Sequence, residues 1–174
     1  MNTMQKIRIE KATLNFGSGT DQKKLEKGMK LIEMIAGKTP VKTKTALRVA
    51  GWGLRPGLTI GCKLTLRGQL AQDLLERLLA AKEKMLSLKN FDSNGNISFG
   101  IHEYVDIPGV KYDPELGIIG LEVSVTLARP GQRIKLRKVQ KRKIPVHHRI
   151  SQDEAITFLK EAYGLLIREE QDDI

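Results

Sequence analysis

Leu58-Thr-Ile-Gly-Cys-Lys-Leu-Thr-Leu-Arg67 is the stretch on which the fold turns. Its even positions, Leu58, Ile60, Cys62, Leu64 and Leu66, are apolar, whereas Thr59, Gly61, Lys63, Thr65 and Arg67 between them are small, hydroxylated or cationic. A strict period of two belongs to a strand with one face in a core and the other open. The open face carries cations and short hydrogen-bonding groups, so it is available to a ligand. Cys62 falls on the apolar side, where a small buried thiol is packing rather than a nucleophile.

Working outward, the same pattern recurs. Towards the N-terminus, Arg48 to Leu58 holds three glycines and Pro56 and reads as a mobile loop or hairpin tip. Before it, Val41, Thr43, Thr45 and Leu47 alternate with Lys42 and Lys44, a short strand with one basic face. Leu25, Met29, Ile32 and Ile35 mark a first helix that ends at Gly37, preceded by a Gly17 to Asp21 turn rich in N-caps. In the strand from Lys6 to Phe16, Ile7 and Ile9 are out of phase with Ala12, Leu14 and Phe16; a bulge near Glu10 or Lys11 restores one apolar face and turns Thr13 and Asn15 outward. On the C-terminal side a second helix follows Gly68, with Leu70, Leu74, Leu78, Ala81 and Met85 inward. Asn94-Gly95 turns the chain into a strand through Ile97, Phe99 and Ile101, and Leu121, Val123, Val125 and Leu127 alternate with Glu122, Ser124, Thr126 and Ala128. A third helix opens on the capping box Ser151-Gln-Asp-Glu154 and places Ala155, Phe158, Leu159, Ala162 and Leu166 inward. The expected fold is α+β: a two-layer, largely antiparallel sheet of about five strands, with helices on one face and the other free for RNA. Residues 1–174 are expected to form one domain.

The charge is zoned. Lys and Arg number 30 against 20 Asp and Glu, a formal charge of +10. Residues 36–67 contain no acid and seven cations, and residues 129–149 no acid and nine. These sixteen charges exceed the net value of +10, which leaves the other 121 residues at −6, the stretch from Ser151 onward included. Two acid-free segments in an otherwise acidic chain are the footprint of a surface facing a polyanion. In the second, Ile134 and Leu136 alternate with Arg133, Lys135 and Arg137 before Pro145 interrupts, so an extended arm or long hairpin is expected, not an amphipathic helix; this disfavours a membrane surface. The arm offers Arg133, Lys135, Arg137, Lys138, Lys141, Arg142, Lys143, His147, His148 and Arg149 to rRNA.

Other function classes fall away. A single cysteine excludes an internal disulfide and a cysteine-built zinc site. His147-His148 lacks a nearby third ligand, and no cofactor or metal is expected. Gly17-Ser-Gly19 and Gly51-Trp-Gly53 match neither the dinucleotide fingerprint nor the P-loop. No paired carboxylates or nucleophile-base set proposes a reaction, so the chain is read as no enzyme. Neither an apolar signal core nor a long apolar run is present, which points to the cytoplasm. Aromatics are 5% of the chain, and no aromatic-rich RNA-recognition strand occurs. What the free face offers is Thr13, Asn15, Lys42, Lys44, Lys63, Thr65 and Arg67, groups suited to recognising the shape of a folded RNA. Trp52 can stack on a base, anchor a protein contact or tuck back as a loop staple. The rival readings are an RNA-modifying enzyme, a non-ribosomal RNA-binding module and a protein-binding adaptor.

Five stretches carry a resemblance: Lys11-Ala-Thr-Leu-Asn-Phe-Gly17, Gly37-Lys-Thr-Pro-Val-Lys-Thr-Lys44, Val49-Ala-Gly-Trp-Gly-Leu-Arg-Pro-Gly57, Ile60-Gly-Cys-Lys-Leu-Thr-Leu-Arg-Gly68 and Asn90-Phe-Asp-Ser-Asn-Gly-Asn-Ile-Ser-Phe-Gly100. Together, in this order, they resemble the large-subunit ribosomal protein L five family over nearly the whole chain. Tyr112-Asp-Pro-Glu-Leu-Gly117, Ala128-Arg-Pro-Gly131 and His148-Arg-Ile-Ser151 are similar to its archaeal branch. The resemblance implies a structural constituent of the central protuberance that binds 5S rRNA, helps attach it to the large subunit and touches 23S rRNA. It implies 5S rRNA contacts from Asn15, from the Lys38, Thr39, Lys42, Thr43 and Lys44 stretch, and from Lys63 and Thr65. It implies that the loop carrying Arg48, Gly51, Trp52, Gly53, Arg55, Pro56 and Gly57 reaches toward P-site tRNA and a small-subunit protein at an intersubunit bridge. Neighbouring proteins of the central protuberance are implied partners as well.

Overall fold

A computed structural model describes residues 2–168. The acidic residues of 169–174, part of the acidic C-terminal stretch, lie outside the described residues. Ten residues of alternating burial form β1 (Arg8–Gly17). Its register against a later strand shifts between Ile9 and Lys11, the bulge the apolar phase change requires. Helix α1 (Gln22–Ala36) begins where the Asp21 carboxylate accepts from the N–H groups of Lys23 and Lys24, and ends at Gly37. Strands β2 (Val41–Lys44) and β3 (Thr59–Leu66) follow, then α2 (Gln69–Ala80). Next come β4 (Met85–Ser87), β5 (Ile97–Ile101), β6 (Leu121–Ala128), a single turn α3 (Arg133–Leu136), α4 (Gln152–Tyr163) and β7 (Leu166–Arg168).

Five strands make one sheet in the order β2-β3-β1-β6-β5, and every pairing in it is antiparallel. The inward rows, Ala12, Leu14 and Phe16 on β1, Cys62, Leu64 and Leu66 on β3, Val123 and Val125 on β6 and Phe99 on β5, are buried with Leu25, Leu31 and Ile32 of α1 and Leu74, Leu75 and Leu78 of α2. Close approach of α1 to β1 rests on Gly28, where a Cβ would fall 2.1 Å from the Phe16 ring. Burying this many aliphatic side chains, at about 1.5–3 kcal/mol each, drives the helices onto one face of the sheet. On the other face Lys63, Thr65, Glu122, Ser124 and Ser98 are exposed.

Four details differ from expectation. Helix α2 stops at Ala80, and the chain turns through Glu83 and Lys84, both at positive φ. Met85 therefore lies on β4, which pairs in parallel with β7; Leu166 is likewise a strand residue and not the end of the last helix. The buried stripe of α2 is Ala71, Leu74, Leu75, Leu78 and Leu79, which leaves Leu70 exposed, and on α4 it is Ala155, Ile156 and Leu159, which leaves Ala162 exposed. The irregular segment after β5 buries Tyr104 completely, its hydroxyl accepting from the Asp113 N–H at 2.9 Å.

Residues 129–149 form neither an extended arm nor a long hairpin. Ile134 and Leu136 lie on the helical turn α3, and a 3-10 turn covers Val146–His148. The segment's two ends are pinned to each other: His148 Nε2 lies 2.9 Å from the Pro130 carbonyl, and Arg129 donates to the Arg149 carbonyl at 3.3 Å. Gly131, at φ 94°, makes the turn that aims the Pro130 carbonyl at His148. The arm is a closed basic loop.

Candidate nucleic-acid interface

Residues paired directly across an antiparallel sheet point to the same side, so the register lays out the open face as rows. One row runs Val41, Lys63, Asn15, Glu122, Gly100, and the next runs Thr65, Thr13, Ser124, Ser98. A third places Thr43 beside Gly61 and Gly17. A Cβ on Gly61 would fall 2.4 Å from the Phe16 carbonyl and 3.2 Å from Thr43 Oγ1. The lack of a side chain there holds β2 close to β1 and keeps this corner low. Thr13, Asn15, Thr43, Lys63 and Thr65 thus share one surface. The Thr13 and Thr65 hydroxyls lie 3.4 Å apart, and Asn15 Nδ2 donates to Glu122 Oε2 at 3.0 Å.

Lys42 is different: it pairs with Cys62 and so lies on the helix side, correcting its placement beside Lys63 and Thr65. The basic face of β2 is real but faces the other way. Lys44 pairs with Thr59 across a register shift. Thr39 is tied to the end of α1 through Glu33 Oε1 at 3.2 Å, while Lys38 beside it is exposed. Arg67 is exposed but ion-paired with Glu10 at 3.2 Å, a surface bridge worth at most about 1 kcal/mol that a phosphate can displace. Two open-face residues escaped the sequence reading. Lys11 pairs with Thr126 and stands in line with Thr13 and Asn15; counting down by twos from Asn15 would have found it. Glu122 puts an acid in the middle of the face, legible as the polar partner of β6 but not as the partner of Asn15.

The loop 48–58 is a folded tip. Val49 bridges Leu54, Gly53 N–H bonds the Ala50 carbonyl, and Gly57 N–H bonds the Thr45 carbonyl. Arg48, Gly51, Arg55 and Pro56 are exposed around it, and Trp52 is 75% exposed, so it does not serve as a loop staple. This tip extends from the end of the sheet where β3 begins, whereas residues 129–149 join the opposite end, where β1 begins and β6 finishes.

In the closed loop the cations are unequal. Arg133, Lys135, Lys138, Lys141, Arg142, Lys143, His147 and Arg149 are exposed. Arg137 is half-buried and caps the Gln140 carbonyl at 2.9 Å, and His148 is half-buried against Pro130. Arg129, counted only as one charge of the segment, is its anchor: nine-tenths buried and 2.7 Å from Glu154 Oε1. The Glu154 carboxyl is held below its ordinary range, first by the Ser151 N–H and further by Arg129. Burial pushes the Cys62 thiol up, as an inert core residue requires. Among the described residues no group of three or more His, Cys, Asp or Glu could hold a metal ion, and no helix is long and apolar enough to cross a membrane.

A broad polar sheet face, bordered by a basic loop at each end, is the surface of an RNA-binding protein. Comparison with known proteins identifies which. Residues 2–55 match the family model described as Ribosomal protein L5, and residues 59–162 match the model for the C-terminus of the same ribosomal family. Large ribosomal subunit protein uL5 of Nanoarchaeum equitans is 48% identical over 165 residues, 94% of this chain and 97% of its own. The uL5 proteins of Methanosphaera stadtmanae and Sulfolobus acidocaldarius are 42% and 43% identical, covering 96% and 97% of this chain and 99% and 94% of theirs. The chain belongs to the ribosomal protein L5 family, in its archaeal branch. It is a structural, non-enzymatic component of the large ribosomal subunit, and so cytoplasmic. Strands from both matched segments alternate in the one sheet.

Proposed function

We propose that the open sheet face binds 5S rRNA and helps attach it to the large subunit in the central protuberance, with 23S rRNA meeting the loop 129–149. The observation that carries this reading is the register that gathers Lys63, Asn15, Thr65 and Thr13 on one uncovered surface, with Lys11 beside them. Short hydroxyl and amide groups let an RNA backbone come close and reach 2′-hydroxyls, while the two lysines neutralise phosphate. Glu122 narrows the site: it repels phosphate on the β6 side, so the backbone runs over β3 and β1. Asn15, held by Glu122, presents its carbonyl oxygen in a fixed orientation. The tip 48–58, with Trp52 outward between Arg48 and Arg55, is the part we assign to P-site tRNA and the intersubunit bridge. Neighbouring ribosomal proteins of the central protuberance and a small-subunit protein complete the set of partners.

Band shifts with 5S rRNA test the reading. The Asn15→Ala/Thr65→Ala variant, folded by circular dichroism, should bind about tenfold more weakly, as loss of two polar contacts predicts. Unchanged affinity would remove 5S rRNA from this face. Deletion of residues 50–53 should spare 5S rRNA binding while lowering P-site tRNA occupancy or subunit joining; lost 5S binding with normal tRNA behaviour would refute that division.

A further inference from the structure

Beneath the closed loop is a cavity of about 260 Å³, just under the range of roughly 300–1,000 Å³ that holds drug-sized ligands. Its position follows from two turns. Gly95 packs so closely on Ile150 that a Cβ would fall 2.7 Å from its Cγ2, which brings Asn94 to one side, and the Pro130 to His148 contact closes the other. Leu127, Ile144 and Ile150 supply an apolar wall, and Lys135, Lys143 and Arg149 stand at the exposed margin.

Two polar atoms of the lining residues are unusual. Arg129 Nε and Gln132 Oε1 are both buried, and neither has a hydrogen-bond partner. Arg129 spends its other nitrogens on Glu154 and the Arg149 carbonyl. Buried polar groups are seldom left this way, and one donor and one acceptor without partners in the same cavity indicate a ligand that supplies both. A phosphate supplies acceptors for Arg129 and nothing for Gln132. A nucleobase carries acceptor and donor side by side on its edge and an apolar face for the wall.

We propose that this cavity receives one unstacked nucleotide, its base edge bonded to Arg129 Nε and Gln132 Oε1 and its phosphate among Lys135, Lys143 and Arg149. The proposal rests on the reading that the closed loop meets large-subunit rRNA, which would supply the nucleotide; it does not depend on 5S rRNA binding by the sheet. Single-stranded bulges and loops, whose bases can be splayed into a pocket, are what proteins read in RNA by sequence.

The test titrates the isotope-labelled full chain with the four nucleoside 5′-monophosphates and, separately, with inorganic phosphate, following the Ile144 and Ile150 methyls and the Gln132 side-chain amide by NMR. Saturable shifts at all three groups, at millimolar concentration and differing at least about threefold in affinity among the bases, are expected. Gln132→Ala should weaken binding roughly tenfold, the effect of one buried hydrogen bond, while Asn15→Ala/Thr65→Ala leaves it unchanged. Large-subunit rRNA should displace the nucleotide. Equal shifts with inorganic phosphate would reduce the cavity to an anion site, nucleotide binding that rRNA cannot displace would assign it to a free nucleotide, and no shift would leave it without a ligand; each overturns the proposal. Failure of the sheet variant to affect 5S rRNA would overturn only the sheet reading.

Discussion

The open sheet face and the closed loop 129–149 both carry positive charge, yet they are built on different principles. On the face each side chain is placed by backbone pairing: fixing Ala12 opposite Leu66 fixes Thr13 opposite Thr65 and Asn15 opposite Lys63. In the loop, placement comes from a few side-chain anchors, Arg129 on Glu154 and His148 on Pro130. A sheet with a buried face cannot slip register without exposing its core, whereas a loop held by two anchors opens when one is lost. The face is suited to a fixed RNA shape. The loop is suited to enclosing something small.

Salt offers the largest lever on this contrast. Raising salt from roughly 50 to 200 mM should weaken binding to large-subunit rRNA by about a thousandfold or more, through counterion release from both regions. Replacing Lys138, Lys141 and Arg142 with glutamine should flatten the salt dependence for large-subunit rRNA, measured by filter binding, and leave that for 5S rRNA alone unchanged. Equal flattening for both RNAs would erase the distinction between the regions.

Loss of the loop's anchor comes next. Glu154→Ala leaves the Arg129 guanidinium buried without its carboxylate and removes half of the Ser151 capping box, costing about 2 kcal/mol. At about 2–4 °C per kcal/mol for a chain of this size, Tm should drop by about 4–8 °C. Amide exchange should accelerate at Arg142, His148 and Arg149 while the β1 and β3 amides stay protected; acceleration in the sheet would mean that the two regions open together.

Acid should produce a smaller form of the same effect. The folded-state pKa of Glu154 is depressed, so its contribution is fully present above the ordinary carboxylate value of about 4.3 and is lost as the pH falls through the depressed value. Amide exchange at His148 and Arg149 should therefore quicken below about pH 4 in the parent chain but not further in Glu154→Ala. An equal acid response in the variant would assign the effect to other carboxylates.

This contrast also explains what was legible in the sequence. Period-two stretches read correctly, down to the β1 bulge and the outward aim of Thr13, Asn15, Lys63 and Thr65, because burial on one face forces alternation. Lys42 did not, because alternation gives a strand two faces without saying which one meets its neighbour; only the pairing of Lys42 with Cys62 decides that. The ends of α2 and α4 were missed because Met85 and Leu166 continue the helical spacing, and what removes them is a parallel pairing between segments far apart in the chain. The loop was legible as charge but not as shape. Nothing periodic announces that Arg129, one cation among nine, meets Glu154, or that His148 closes on Pro130.

The central claim, that 5S rRNA lies on the open face and not on the helices, is tested most directly by lysine acetylation read by mass spectrometry, with and without 5S rRNA. Lys11 and Lys63 should be protected by the RNA, while Lys23 and Lys30 on α1 and Lys138 and Lys141 in the loop stay reactive. Protection of the α1 lysines with Lys63 still reactive would contradict the account.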